Sequence, residues 1–357
     1  MEVGASGKPG AVQRTKITSY TTRGYATDGT PDIYAAFVER SLHLMNSDGR
    51  LGLILPISFQ FSSDFTSARD VVRGGTEQAW VSTFSRNPAA LFYAGLGVRN
   101  TILLAKSGEP TPATIYSSRL YRWVEEARPQ LFEQVSYLQL PQSLQREGWA
   151  RLDNPGLTRL FDRLASRGLR LVAGRMPKGH KLRFKTTALY YISSFAEDPP
   201  SFDGLGRPIA QTKVGSIAFS SEAFRDGALA VTLCKLAVLW WSATGDDFDV
   251  TAKGLGGLPI ALESFSPEVT EKLAAYGAVL RREMPKHVIY TQYAGKKMGN
   301  YDIKYLRHIT DEIDRYLLEV LDATDAWEDV EIAYARFMKM TKERAGTTRA
   351  DLSEEAD

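Results

Sequence analysis

Lys178, His180, Lys181, Arg183 and Lys185 crowd into one short run, with Gly179 among them. Cations at this density pair with phosphates, and a glycine lets the backbone approach a ligand closely. The run closes a longer basic stretch, for residues 159–185 hold nine Lys or Arg against one acid, Asp162. Aromatics stand in and after the run (Phe184, Tyr190, Tyr191, Phe195, Phe202, Phe219). A basic loop beside aromatics fits DNA; a solvated, Arg-rich face is the other reading of the same charges. Lys296, Lys297 and Asn300, in a short glycine-containing loop, are a second candidate for phosphate contact. Asp246, Asp247 and Asp249 lack the rest of a calcium loop, so solvated-loop and helix-capping roles are expected. His43, His180, His287 and His308 show no ligand spacing, and no metal is expected. Cys234 is the only cysteine and lies in an apolar run, which fits an inert core thiol. No intramolecular disulfide can form, and a reducing, cytoplasmic setting is expected.

The elements that must carry these residues follow from periodicity. Thr30 can cap a helix that has Pro31 at its first position and Asp32 in its first turn. Ile33, Tyr34, Phe37, Val38, Leu42 and Met45 then recur at helical spacing, and Gly49 is the expected stop. Residues 51–55 form a near-continuous apolar strand, as in a sheet covered on both faces. Pro56 and Ser58 follow its end, where open α/β sheets bind ligands. A helix over 65–72 and strands over 79–84, 98–105 and 113–116 complete an α/β pattern. Residues 157–171 read as a helix with outward arginines. Residues 228–243 read as one buried helix, too short to span a membrane and interrupted by Lys235. Helices are expected over 266–282, 303–321 and 327–344, and the acidic tail 346–357 is expected to be disordered. The net charge of +2 argues for no partner by itself.

Asp32-Ile33-Tyr34-Ala35-Ala36-Phe37 followed by Asp48-Gly49-Arg50-Leu51-Gly52-Leu53-Ile54-Leu55-Pro56 resembles a motif series of adenine-specific DNA methyltransferases of the large restriction-modification type. Downstream, Leu91-Phe92 ahead of Gly97-Val98-Arg99-Asn100-Thr101-Ile102 is similar to that family's next motif. The Trp240-Trp241 pair, Leu258-Pro259-Ile260 and Gly299-Asn300-Tyr301-Asp302-Ile303-Lys304 resemble parts of its target-recognition region. The order and spacing of the matches, over about 300 residues, carry the resemblance more than any single one.

The resemblance implies an incomplete Rossmann-like methyltransferase lobe over 15–135 and a mixed α+β target-recognition domain over 136–345 with a helical C-terminal part. It implies S-adenosylmethionine as cofactor, double-stranded DNA as substrate, and Phe92 as the residue stacking on a flipped adenine. Asp32 and Tyr34 would support the catalytic loop; a first-turn charge and core packing are their simpler roles. The sequence departs from the family in two places. It has no glycine loop after a first strand, since residues 4–10 follow none, and no NPPY tetrad, Asn87-Pro88-Ala89-Ala90 being nearest. The expectation is therefore a split enzyme whose partner chain brings cofactor loop and tetrad. A DNA-binding or scaffold subunit of a defence complex without methyl transfer is the alternative, and a fragment the third reading.

Overall fold

The computed structural model describes residues 22–92, 97–108, 112–172, 178–188 and 191–344. The glycine-rich 4–10 segment, Arg175, Tyr190 and the tail 346–357 lie outside the described residues.

Helix α1 (Tyr34–His43) begins later than its sequence suggests. The Thr30 hydroxyl donates to the Thr27 carbonyl instead of capping, and Asp32 Oδ1 accepts the Tyr34 N–H at 3.4 Å. Strand β1 (Arg50–Pro56) follows, then α2 (Ser58–Phe61), α3 (Thr66–Gly75), β2 (Gln78–Phe84), β3 (Asn100–Lys106), β4 (Thr114–Tyr121) and β5 (Leu138–Gln139). These strands form one mixed sheet in the order β1-β3-β2-β4-β5. β3 is antiparallel to both β1 and β2, whereas β2 and β4 are parallel. The chain is thus mixed α/β, as expected. β5 pairs with β4, so the first sheet reaches past residue 135.

On one face of this sheet Leu55, Val81, Thr83, Thr101, Leu103 and Ile115 are buried, and the apolar ones share a core with residues of α1, α3 and Trp149. The other face is more open. Ile54 is 53% exposed and its neighbour Leu104 is 43% exposed. Trp80 and Tyr116 stack there at 5.5 Å, half-buried. The expectation that β1 is covered on both faces is therefore corrected: β1 is an edge strand, and among the described residues it pairs with β3 alone. The single apolar stripe expected of α1 is likewise two. Ala35, Val38 and Leu42 pack inward, while Phe37 and Leu44 stand 63% and 65% exposed.

Helix α4 (Pro155–Ser166) starts at Asn154, whose Oδ1 accepts the Leu157 N–H at 2.7 Å. It ends before the expected 171, and its arginines 159 and 163 face solvent. Strands β6 (His180–Lys185), β7 (Ser194–Phe195) and β8 (Val214–Phe219) form a small antiparallel sheet. The expected single helix over 228–243 is two, α5 (Glu222–Thr232) and α6 (Lys235–Thr244), bent by 71°. Asp314 explains the break: its carboxylate accepts the backbone N–H groups of Lys235 at 2.9 Å and Leu236 at 3.3 Å, capping α6. Among the described residues no single helix is long and apolar enough to cross a membrane.

The short α7 (Ala252–Gly256) leads to α8 (Pro267–Glu283), a hairpin of β9 (Val288–Tyr293) and β10 (Lys296–Tyr301), α9 (Arg307–Val320) and α10 (Trp327–Arg344). α8 crosses α5 closely, because a Cβ on Gly277 would stand 1.8 Å from the Asp226 carbonyl oxygen. Cys234 is buried, and burial pushes its thiol well up, as an inert core thiol requires.

Candidate base-stacking and nucleic-acid site

β1 and β2 run in the same direction, so Pro56, Ser58 and the 85–92 loop share one end of the sheet. The Ile57 N–H donates to the Arg99 carbonyl at 3.0 Å, holding the turn into α2 against the start of β3. The Tyr34 and Ser58 hydroxyls are 2.9 Å apart, and the Tyr34 ring stacks on Phe65 at 4.6 Å. Burial raises the Tyr34 hydroxyl well above its usual range, so it stays protonated. Asp32 is exposed and touches this group only through the Tyr34 backbone. Of the positions that the resemblance marks as support, Tyr34, Pro56 and Ser58 lie together at the sheet end, and Asp32 stays outside in solvent.

Phe92 lies in the loop after β2. The segment before it is pinned: Ala89 donates its N–H to the Trp123 carbonyl at 3.1 Å. Arg128 donates to the carbonyls of Ala90 at 2.8 Å and Leu91 at 3.0 Å. Ala89 and Leu91 pack on Phe84, Tyr121, Trp123 and Leu131. Past this anchor Phe92 is 42% exposed. An unburied ring on a fixed loop can stack on a base, which a core phenylalanine cannot.

A second set of residues, missed in the sequence, closes the same sheet end. Asp247 reaches across from the loop after α6. Its carboxylate accepts the Ser85 hydroxyl at 2.6 Å and Arg122 Nε at 3.0 Å, and it lies 3.5 Å from Arg99 Nε. Arg86 and Arg99 stand over the Phe248 ring at 5.6 and 5.1 Å. Asp247 is buried and takes φ +71°, a backbone state that Asp tolerates better than most residues. The solvated role expected for Asp247 is thus corrected to a buried ion pair. Asp246 does cap its own turn, accepting the N–H groups of Phe248 and Asp249. No signal in the sequence joins Ser85 to a residue 162 positions away.

From His180 onward the basic run is a strand, not the expected loop. Leu182 and Phe184 point inward from β6, which sets Lys181, Arg183 and Lys185 on the opposite face. Arg183 pairs with Asp198 at 3.0 Å, and Lys185 donates to the Gln211 side chain. Burial lowers the Lys185 pKa. Lys178, His180 and Lys181 stay exposed. Gly179 does allow a close approach, but to its own chain: a Cβ there would meet the Phe219 carbonyl oxygen at 2.3 Å.

Lys296, Lys297 and Asn300 are also strand residues, in β10 of the hairpin. Ala294 and Gly295 turn it with φ +47° and +73°, as tight hairpin turns require. Ile289, Tyr290, Thr291, Gln292, Lys296 and Lys297 are all exposed, although Lys297 also exchanges backbone hydrogen bonds with Phe202 at 2.8 and 2.9 Å, so the 202 segment flanks the β10 side of the hairpin. Asn300 sits at its half-buried base, opposite Ile289.

No curated protein matches this chain. Residues 10–83, about a fifth of the 357, match the family described as Eco57I restriction-modification methylase. The matched stretch takes in α1, β1, α2, α3 and all of β2 but its last residue, and this stretch is similar to restriction-modification methylases.

Proposed function

We propose that this chain supplies the rear of an adenine-specific DNA methyltransferase lobe together with its DNA-contacting part. The open edge of β1, inside the matched stretch, is the observation that carries the reading. An unpaired edge with apolar side chains on both flanks needs another strand with cover on each face. A second polypeptide segment fills that place and brings the cofactor loop and NPPY-like tetrad.

The residues present do not fit S-adenosylmethionine by themselves. Where β1 turns into α2, Tyr34, Ser58 and Phe65 pack against one another and close the strand end. This chain's own tasks are different. Phe92 stacks on the extruded adenine, a contact worth about 1–3 kcal/mol. Lys178, His180 and Lys181 contact backbone phosphates, with Arg183 and Lys185 beside them. The β9–β10 ribbon enters the major groove, which admits such a ribbon, and presents Gln292, Lys296 and Lys297 to it. The enzyme serves restriction-modification or another defence against foreign DNA.

The test is methyl transfer from labelled S-adenosylmethionine to duplex DNA, with and without a co-purified partner carrying the tetrad. Transfer only with the partner is expected. Robust transfer by the purified chain alone would overturn the split. A second reading, a DNA-binding subunit without methyl transfer, is favoured by one observation: the ribbon and the exposed arginines of α4 lie wholly within this chain. It predicts DNA binding with no tetrad-bearing partner in the native complex.

A further inference from the structure

A cavity of about 60 Å³ lies where β4, the 151–154 segment, α6 and α10 meet. Arg119, Arg151, Asp153, Asn154, Ser242 and Arg336 are among the residues lining it. Three arginines thus line this space with one carboxylate, Asp153, among its lining residues, while Asp247 and Asp246 act on Arg151 from the loop after α6. Asp153 is shared, at 3.1 Å from Arg119 Nε and 4.0 Å from Arg336 Nη1. Arg151 is buried, with 2% exposure. Its Nε and Nη2 donate to the Ser242 carbonyl at 3.2 and 2.8 Å, and Nη2 also to the Gly245 carbonyl. Its Nη1 is buried with no hydrogen-bond partner.

A guanidinium that keeps a buried N–H unsatisfied forgoes a hydrogen bond, so such groups call for an acceptor. Burial lowers Arg151 to about 10, which leaves it cationic at neutral pH. The acceptor must be small, because the cavity is far below the roughly 300 Å³ of an ordinary ligand pocket. An anion suits the space, because three of its lining residues are arginines and one is a carboxylate. The N-terminus of α4, capped by Asn154, adds its positive end to the same lining.

We propose that this cavity binds a phosphate-type oxyanion that ties the first sheet to the C-terminal helices. Arg151 donates Nη1 from within, and Arg119 and Arg336 close the site from the more exposed side. The oxyanion is either free phosphate or a phosphodiester of bound DNA.

The test compares the full chain with Arg336→Gln, a half-exposed position, and Ala333→Leu, which fills the cavity without changing charge. Inorganic phosphate is titrated against chloride at matched ionic strength, with thermal unfolding as readout. Duplex DNA affinity is measured in parallel. For free phosphate, the wild-type midpoint rises by about 2 °C or more. Affinity falls at least tenfold in Arg336→Gln, and Ala333→Leu shows no rise. For a DNA phosphodiester, phosphate has no effect, and both variants weaken DNA binding at least tenfold. Equal phosphate shifts in all three proteins, or no change in either readout, would overturn the site.

Discussion

The Ser85 hydroxyl donates to the Asp247 carboxylate at 2.6 Å, joining the end of β2 to a loop 162 residues further along the chain. Arg122 and Arg99 complete the contact from the same lobe. One buried carboxylate therefore fixes how the loop after α6 sits over the sheet end that carries Phe92.

Asp247→Ala strips the carboxylate from Arg99 and Arg122 in a buried site. The expected loss of stability is about 3–5 kcal/mol, as for breaking one side of a buried pair. Ser85→Ala should cost less, about 1–3 kcal/mol, since it removes one hydrogen bond to a charge. Urea unfolding of both variants checks the order; a smaller loss for Asp247→Ala than for Ser85→Ala would contradict it.

Phe92→Ala should leave the fold untouched, within about 0.5 kcal/mol, because the ring is not part of the core. Binding of DNA by the assembled enzyme should weaken by about 1–3 kcal/mol, or roughly 5- to 150-fold. A fluorescent adenine analogue at the target position reports the stacking. An unchanged signal would remove Phe92 from the base pocket.

Ile54→Glu places a charge on the open face beside the free edge of β1. The isolated chain should tolerate it, within about 0.5 kcal/mol, since Ile54 is already exposed. The complex with the tetrad-bearing partner should not form, because the charge would be buried unpaired. Analytical ultracentrifugation of the mixture decides; a full-strength complex would mean that docking lies elsewhere.

Neutralising Lys296 and Lys297 as a Gln pair should flatten the salt dependence of DNA binding. Each lost phosphate contact lowers the log–log slope by about 1. A slope equal to that of the wild type would place the ribbon away from the DNA backbone.

Burial pushes the Asp314 carboxyl up to about 7, although the Lys235 and Leu236 amides and the Lys235 charge pull it down. The folded state thus keeps a proton that the unfolded chain releases near 3.8. That contribution to stability is complete below the unfolded value and is lost as pH rises through about 7. Asp314→Asn should therefore flatten the decline of stability between about pH 4 and 7. Unfolding midpoints across that range test it, and parallel curves for the two proteins would count against the titration.

Much of the first lobe was legible in the chain. The strands at 51–55, 79–84 and 98–105 follow from local apolar character, and all three appear within two residues of their expected ends. The basic runs at 178–185 and 296–300 were visible too, but not their state. Alternation of Leu182 and Phe184 with Lys181, Arg183 and Lys185 is the strand signal that the charges masked.

What the sequence determined by itself is local: which residues can lie on a helix or a strand, where charge gathers, and which motifs stand in family order. Periodicity depends on neighbours a few positions apart, and these survive in any linear reading. What only the tertiary structure decided is pairing. β1 became an edge because β3 pairs on one side of it and no described strand on the other, so Ile54 and Leu104 stayed exposed. Asp247 became a buried partner of Ser85, Arg99 and Arg122 because the fold closes a loop of more than a hundred residues upon them. The break at Cys234 came from Asp314, some eighty positions away, which caps a second helix where composition allowed one. Contacts at that separation are set by burial and charge in three dimensions, and local composition does not encode them.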